Sequence, residues 1–175
     1  MGLSWQQGPL SIRAIGRFLV PQPLPKPLLY AEPLRRRMRV LFDGKWIADS
    51  EDVVLLFEPG HYPMAYFPKS DIAASVLERT EYTTHHDEFG STSWYVVRAG
   101  RKTASRGAWE HTNLPDYANE FQGRVAFAWP AMDAFYEEDE RIVGHAADSY
   151  HRIDIRQTSR HMVVRSEERR VGKEC

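Results

Sequence analysis

Cysteine is nearly missing from this chain. The only one among 175 residues is Cys175, the last. The body therefore has no disulfide, no thiolate zinc site and no cysteine nucleophile. Long apolar runs are missing too: none approaches the ~18 residues that a membrane-spanning helix needs. Charge of one sign does not dominate, with 23 Lys and Arg against 24 Asp and Glu. That balance gives no general basis for a nucleic-acid partner. Neither a P-loop nor a dinucleotide fingerprint is present. The start of the chain lacks the compact apolar core of a secretory signal, because Gln6, Gln7, Arg13 and Arg17 interrupt it. Cytoplasmic location is the default expectation.

Hydrophobic content of 42% and aromatic content of 12% are those of a globular domain. A chain of this length suits one domain, large enough to hold a core without metal or disulfides. Three segments are expected. Residues 1–37 form an extended arm, because Pro21, Pro23, Pro25, Pro27 and Pro33 fix φ and remove donors. Leu24, Leu28, Leu29 and Tyr30 can pin this arm to the body. Residues 38–164 form the domain. Residues 165–175 read RSEERRVGKEC, like the in-frame translation of a common sequencing adaptor, and are set apart from fold reasoning as an adaptor-derived tail. Without them the chain has 19 basic and 21 acidic residues.

Turn and strand signals follow closely on one another. Met38–Phe42 and Lys45–Ala48 flank Asp43-Gly44, a strong hairpin signal. Val53–Phe57, Met64–Phe67, Thr92–Arg98, Arg101–Arg106 continuing through Ala108–His111, and Arg124–Trp129 read as strands. Arg152–Arg156 and His161–Val164 read as the last ones. Short helices are expected over Asp71–Glu78, over Asp116–Phe121, and from Pro130 past Tyr136, where Glu137–Glu140 would form a solvated helix end. The sum is a mainly β, compact, antiparallel β-rich single domain with two or three short helices.

Several pieces together resemble a known bacterial family. They are VLFDGKWIADS, HYPMAYFPKSDI, TTHHDEFGSTSWYVV, GAWEH, GRVAFAWPAMDAFYEEDE and HRIDIRQTSRHMVV. This is domain of unknown function family 427, which also carries a nucleotidyltransferase-like label. The resemblance implies a compact fold of tent-like sheets and assigns no reaction. The Gly-Ser and spaced-aspartate pattern of established nucleotidyltransferases is not found. Where many members have T-x-C-P-x-K-G, this chain has Thr84–Gly90, with His86 at the cysteine position and Phe89 at the lysine position. Any role of that cysteine or lysine is not carried over.

Four groups of residues carry chemistry. His85 and His86, beside Asp87 and Glu88, are weak metal-ligand candidates, and a polar loop is the alternative. The Glu137–Glu140 acids can supply a base or hold Mg²⁺, or simply face water. His145, His151 and Arg152 lie in a loop with Asp148, a usual place for a site. Ser159, Arg160 and His161 suit a carboxylate or phosphate, unless Arg160 pairs with a nearby acid. Trp94, Tyr95, Trp109, Phe127 and Trp129 can wall a pocket or belong to the core, and His61 and Tyr66 can edge it.

The leading reading is a soluble domain that binds a small polar or anionic molecule through Trp109, His145, His151, Arg152, Ser159, Arg160 and His161, with no cofactor implied. It requires an aromatic pocket with Arg160 facing in. The second reading is a small hydrolytic or transferase-like enzyme. It requires at least two of His85, His86, Glu138, His145, His151 and His161 in one concave site. The third is an interaction module. Met1–Arg39 has seven bases and one acid, and Asp133–Asp154 has seven acids and two bases, so the two regions can attract each other within one molecule or across a homodimer. Independently solvated surfaces are the alternative. Neither a membrane nor a nucleic acid is an expected partner.

Overall fold

The structure is a computed structural model and describes residues 29–58, 61–146 and 157–161. Among the described residues, eleven strands make two antiparallel sheets. In chain order they are β1 (Tyr30–Leu34), β2 (Met38–Phe42), β3 (Lys45–Ser50), β4 (Val53–Phe57), β5 (Met64–Pro68), β6 (Leu77–His86), β7 (Gly90–Ala99), β8 (Lys102–Thr112), β9 (Arg124–Phe127), β10 (Ala134–Glu137) and β11 (Glu140–Ile142). The larger sheet has the order β1-β4-β5-β9-β8-β7-β6, and the smaller β11-β10-β2-β3. None of the described residues is in an α-helix. Helical structure is limited to 3-10 segments at Lys69–Asp71, Asp116–Phe121 and Trp129–Ala131. Nor is any helix here long and apolar enough to cross a membrane.

Local chemistry explains much of this. Asp43 and Gly44 both have positive φ, 48° and 69°, the primed turn that matches strand twist in a two-residue hairpin. Strand β4, VVLLF, is buried throughout because both of its faces are covered. Val53, Leu55 and Phe57 join Met38, Val40, Ile47, Phe67, Val97, Phe127 and Phe135 between the two sheets. Val54 and Leu56 point the other way, to a second cluster with Tyr66, Phe89, Phe121 and Ala126. Pro33 lies in β1, an edge of the large sheet, where a missing donor is tolerated. The proline-rich segment thus ends as a paired strand, with Tyr30 5.7 Å from Phe57 between ring centroids.

Two expected helices are corrected. Asp71–Glu78 is not helical: it leaves a 3-10 turn, bridges Ala48 at Ile72, passes through Ser75 at φ 64° and enters β6 at Leu77. Ile72 and Val76 are apolar because an irregular segment plugs them into the core. The helix expected after Pro130 is a single 3-10 turn followed by strand β10. Phe135 pairs with Val40 across β10 and β2, so tertiary packing overrides a spacing that suits either period.

The acids Glu137–Glu140 are therefore not a solvated helix end. They close the tight β10–β11 hairpin, where Glu138 has φ 52°. Glu137 is 0% exposed and pairs with Arg36 at 2.9 Å. Arg39 donates to the Glu138 carbonyl at 2.6 Å and to Asp139 at 3.1 Å, and the Arg37 amide donates to Glu138 at 3.0 Å. The basic and acidic regions meet within one molecule at these residues, not as separately solvated surfaces. The strands expected over 152–156 and 161–164 lie outside the described residues, apart from His161.

Candidate functional site

Strand register builds the floor of a groove. On β8, Ala108 and Glu110 point toward the small sheet's side, so Trp109 and His111 point away from it. Trp109 sits directly opposite Trp94 of β7, and His111 opposite Thr92. Strand β9 intervenes between β8 and β5, with Ala126 opposite both Trp109 and Tyr66. The small alanine leaves room for the two larger side chains to meet across it. Tyr66, Thr92, Trp94, Trp109 and His111, with Glu58, Tyr62, Met64, Thr84, His85, His86, Trp129 and His145, line a groove of about 540 Å³.

The hydrogen bonds beneath it have a fixed direction. Indole N–H can only donate, so Trp109 Nε1 donates to Tyr66 Oη, at 3.4 Å. The Tyr66 hydroxyl then gives its proton to His111 Nε2, at 2.8 Å. That leaves His111 Nδ1 to carry the ring proton and donate to Thr92 Oγ1, at 3.0 Å. Burial holds the His111 pKa down to about 4, with nearby His86 adding to the effect, so its ring is neutral at pH 7. Burial also pushes the Tyr66 phenol well above its usual range.

His86 is fixed from both sides. Its Nδ1 accepts the amides of Glu88 and Phe89, at 3.2 and 3.1 Å, closing the β6–β7 turn. Its Nε2 donates to Glu58 Oε1 at 2.9 Å. This bond holds the Glu58 carboxyl below its usual pKa and raises that of His86. The two amides oppose the rise, because a donor at Nδ1 would face two donors. The ring is therefore held as the Nε2–H tautomer. His86 and Phe89, the two departures from the family pattern, stack at 4.9 Å and 17°. A further wall is His145 stacked on Tyr62 at 4.4 Å and 12°. His145 Nδ1 donates to the Ala146 carbonyl at 2.7 Å, and Nε2 has no partner among the described residues.

Trp109, His145, His85 and His86 thus come together, with Trp94, Trp129, Tyr66 and His61 beside them. Tyr95 and Phe127 belong to the core instead. Arg160 does not face the groove. It pairs with Glu138, its Nε donating at 2.8 Å, and with Glu51 at 3.0 Å. Thr158 Oγ1 donates to Glu138 at 2.7 Å and the Ser159 amide to Asp139 at 2.6 Å, so this segment braces the acidic hairpin. His161 is exposed and does not line the groove. His151 and Arg152 lie outside the described residues. No group of three or more His, Cys, Asp or Glu among the described residues is arranged to hold a metal ion. Sequence reasoning missed Glu58, Thr84, Thr92 and His111, whose roles depend on long-range register.

No curated protein matches the chain. A family model does, the one named NTP_transf_9 and described as a domain of unknown function (DUF427), over residues 30–138. That span runs from the first residue of β1 to the turn of the acidic hairpin and holds most of the groove. The match covers more than half of the chain, which belongs to the DUF427 family.

Proposed function

We propose that this domain binds a small polar molecule in the groove over β5, β8 and β7. The observation that carries this reading is the union of aromatic walls and a polar floor in one concavity. Trp94, Trp109, Trp129 and the Tyr62–His145 stack supply flat apolar faces, and Glu58, Thr84 and Thr92 supply fixed polar atoms. Pockets of this size and make-up are the usual form of small-molecule sites. Arg160 takes no part in this reading, since its guanidinium is engaged with acids elsewhere.

A thermal-shift screen with nucleosides, sugars, amino acids, amines and short carboxylic acids tests it. A ligand at 100 times its Kd adds about 2.7 kcal/mol of stability. The expected result is a shift with one class that disappears in Trp109→Ala. A screen with no shift, or one unchanged in that variant, overturns the proposal.

One observation favours a second reading, an acid–base enzyme. Three of the six candidate groups, His85, His86 and His145, converge on the groove. Among them His145 has an anchored Nδ1–H and an open Nε2, the arrangement of a general base. Turnover that falls in His145→Gln with ligand affinity retained would support it. Equal turnover in both proteins would remove it.

A further inference from the structure

We infer that the ligand of this groove is an organic cation, a quaternary or protonated amine, held by the tryptophan faces and by Glu58. This rests on the small-molecule reading above and names its ligand class.

The first observation is charge. None of the described lining residues is Lys or Arg, and Glu58 is the only carboxylate. His86 does not cancel that charge, since its Nδ1 faces two amide donors and its ring stays neutral. The groove therefore offers one net negative group. The π faces of the surrounding aromatic rings are themselves negative. Trp94 and Trp109 are 5.3 Å apart and tilted by 39°, a splayed pair and not a closed stack. Trp129 and Tyr62 supply the other aromatic surfaces. Aromatic walls with a carboxylate attract a desolvated cation.

The second observation is where the donors go. Trp94 Nε1 donates to Thr84 at 2.9 Å, and Trp109 Nε1 to Tyr66. The Tyr66 hydroxyl and both nitrogens of His111 are used among themselves and Thr92. His86 Nε2–H goes to Glu58. The strong N–H donors of the floor thus point to protein atoms. Acceptors are left open instead among the described residues: Glu58 Oε2 has His61 near it, at 3.9 Å, and His145 Nε2 has no partner there. The site is complementary to a positive group and to ligand O–H or N–H donors.

Choline, its uncharged isostere 3,3-dimethylbutan-1-ol, and 3,3-dimethylbutanoate share one shape and differ in charge. Their affinities can be compared by tryptophan fluorescence and calorimetry on the full chain. Choline is expected to bind about tenfold more tightly than the alcohol, the scale of one cation–π contact. The carboxylate is expected not to bind. Glu58→Gln should reduce the choline preference, weakening choline more than the alcohol. Trp94→Leu should weaken both and serves where Glu58→Gln does not fold. Equal binding of choline and alcohol, or preferential binding of the carboxylate, overturns the inference. So does failure of all three to bind. In each of those cases a neutral or acidic hit from the broader screen, lost in Trp109→Ala, leaves the small-molecule reading standing.

Discussion

Acidification from pH 7 to pH 5 should cost this fold about 2 kcal/mol through His111 alone. The residue is 6% exposed, accepts a proton from Tyr66 on one nitrogen and donates to Thr92 from the other. A second ring proton would have to displace the Tyr66 hydroxyl in a largely buried site. Its folded pKa of about 4 lies below the ordinary histidine value of 6.5. The sign follows from that direction. The unfolded chain takes up the proton first, so the contribution of His111 is fully present above pH 6.5. It is lost as pH falls from there and is gone below about pH 4, where roughly 3 kcal/mol has been surrendered. Urea unfolding at pH 7, 6 and 5 measures the loss, with His111→Gln as the non-titrating reference. His86 remains in both proteins, held as the Nε2–H tautomer by the Glu88 and Phe89 amides. The gap between wild type and variant should narrow by about 2 kcal/mol from pH 7 to pH 5. A gap that does not change with pH would refute the reasoning. So would an NMR titration in which the His111 ring gains its proton near pH 6.5.

Two further perturbations test the packing. Arg36→Ala removes the cation from the fully buried Glu137. It should cost about 1–3 kcal/mol in urea unfolding, less than a fully buried pair because the arginine is partly exposed. Gly107→Ala places a Cβ 2.8 Å from Val97 Cγ2 and 2.9 Å from Ala104 Cβ. Overpacking at this irregular part of the β7–β8 pairing should lower stability by about 1–3 kcal/mol, read as a fall in Tm.

What could be read in the sequence was what is local. Asp43-Gly44 needs no partner to specify its turn, and Val53–Phe57 carries its burial in its composition. Strand β6 shows the opposite case. Its ten residues, LERTEYTTHH, are mostly exposed along both faces. A strand at the sheet edge has little core to face, so it shows no alternation, and none was expected there. The acids Glu137–Glu140 misled for a related reason. A run of carboxylates normally faces water, but Arg36 lies 101 residues before its partner Glu137. Trp109 and His145 stand out in sequence as groups able to bind. Glu58 and His111 do not, because Glu58 finds His86 across 28 positions and His111 finds Tyr66 across 45.

The Tyr66 hydroxyl has one proton to give, and among the described residues His111 Nε2 is the group placed to take it. Neither an indole nor a benzyl ring can accept that proton, so Trp109→Phe would leave His111 with its proton on Nδ1, facing Thr92. A tyrosine 45 positions away thus decides which nitrogen of the histidine is protonated, and the indole at 3.4 Å is left to serve the groove with its face.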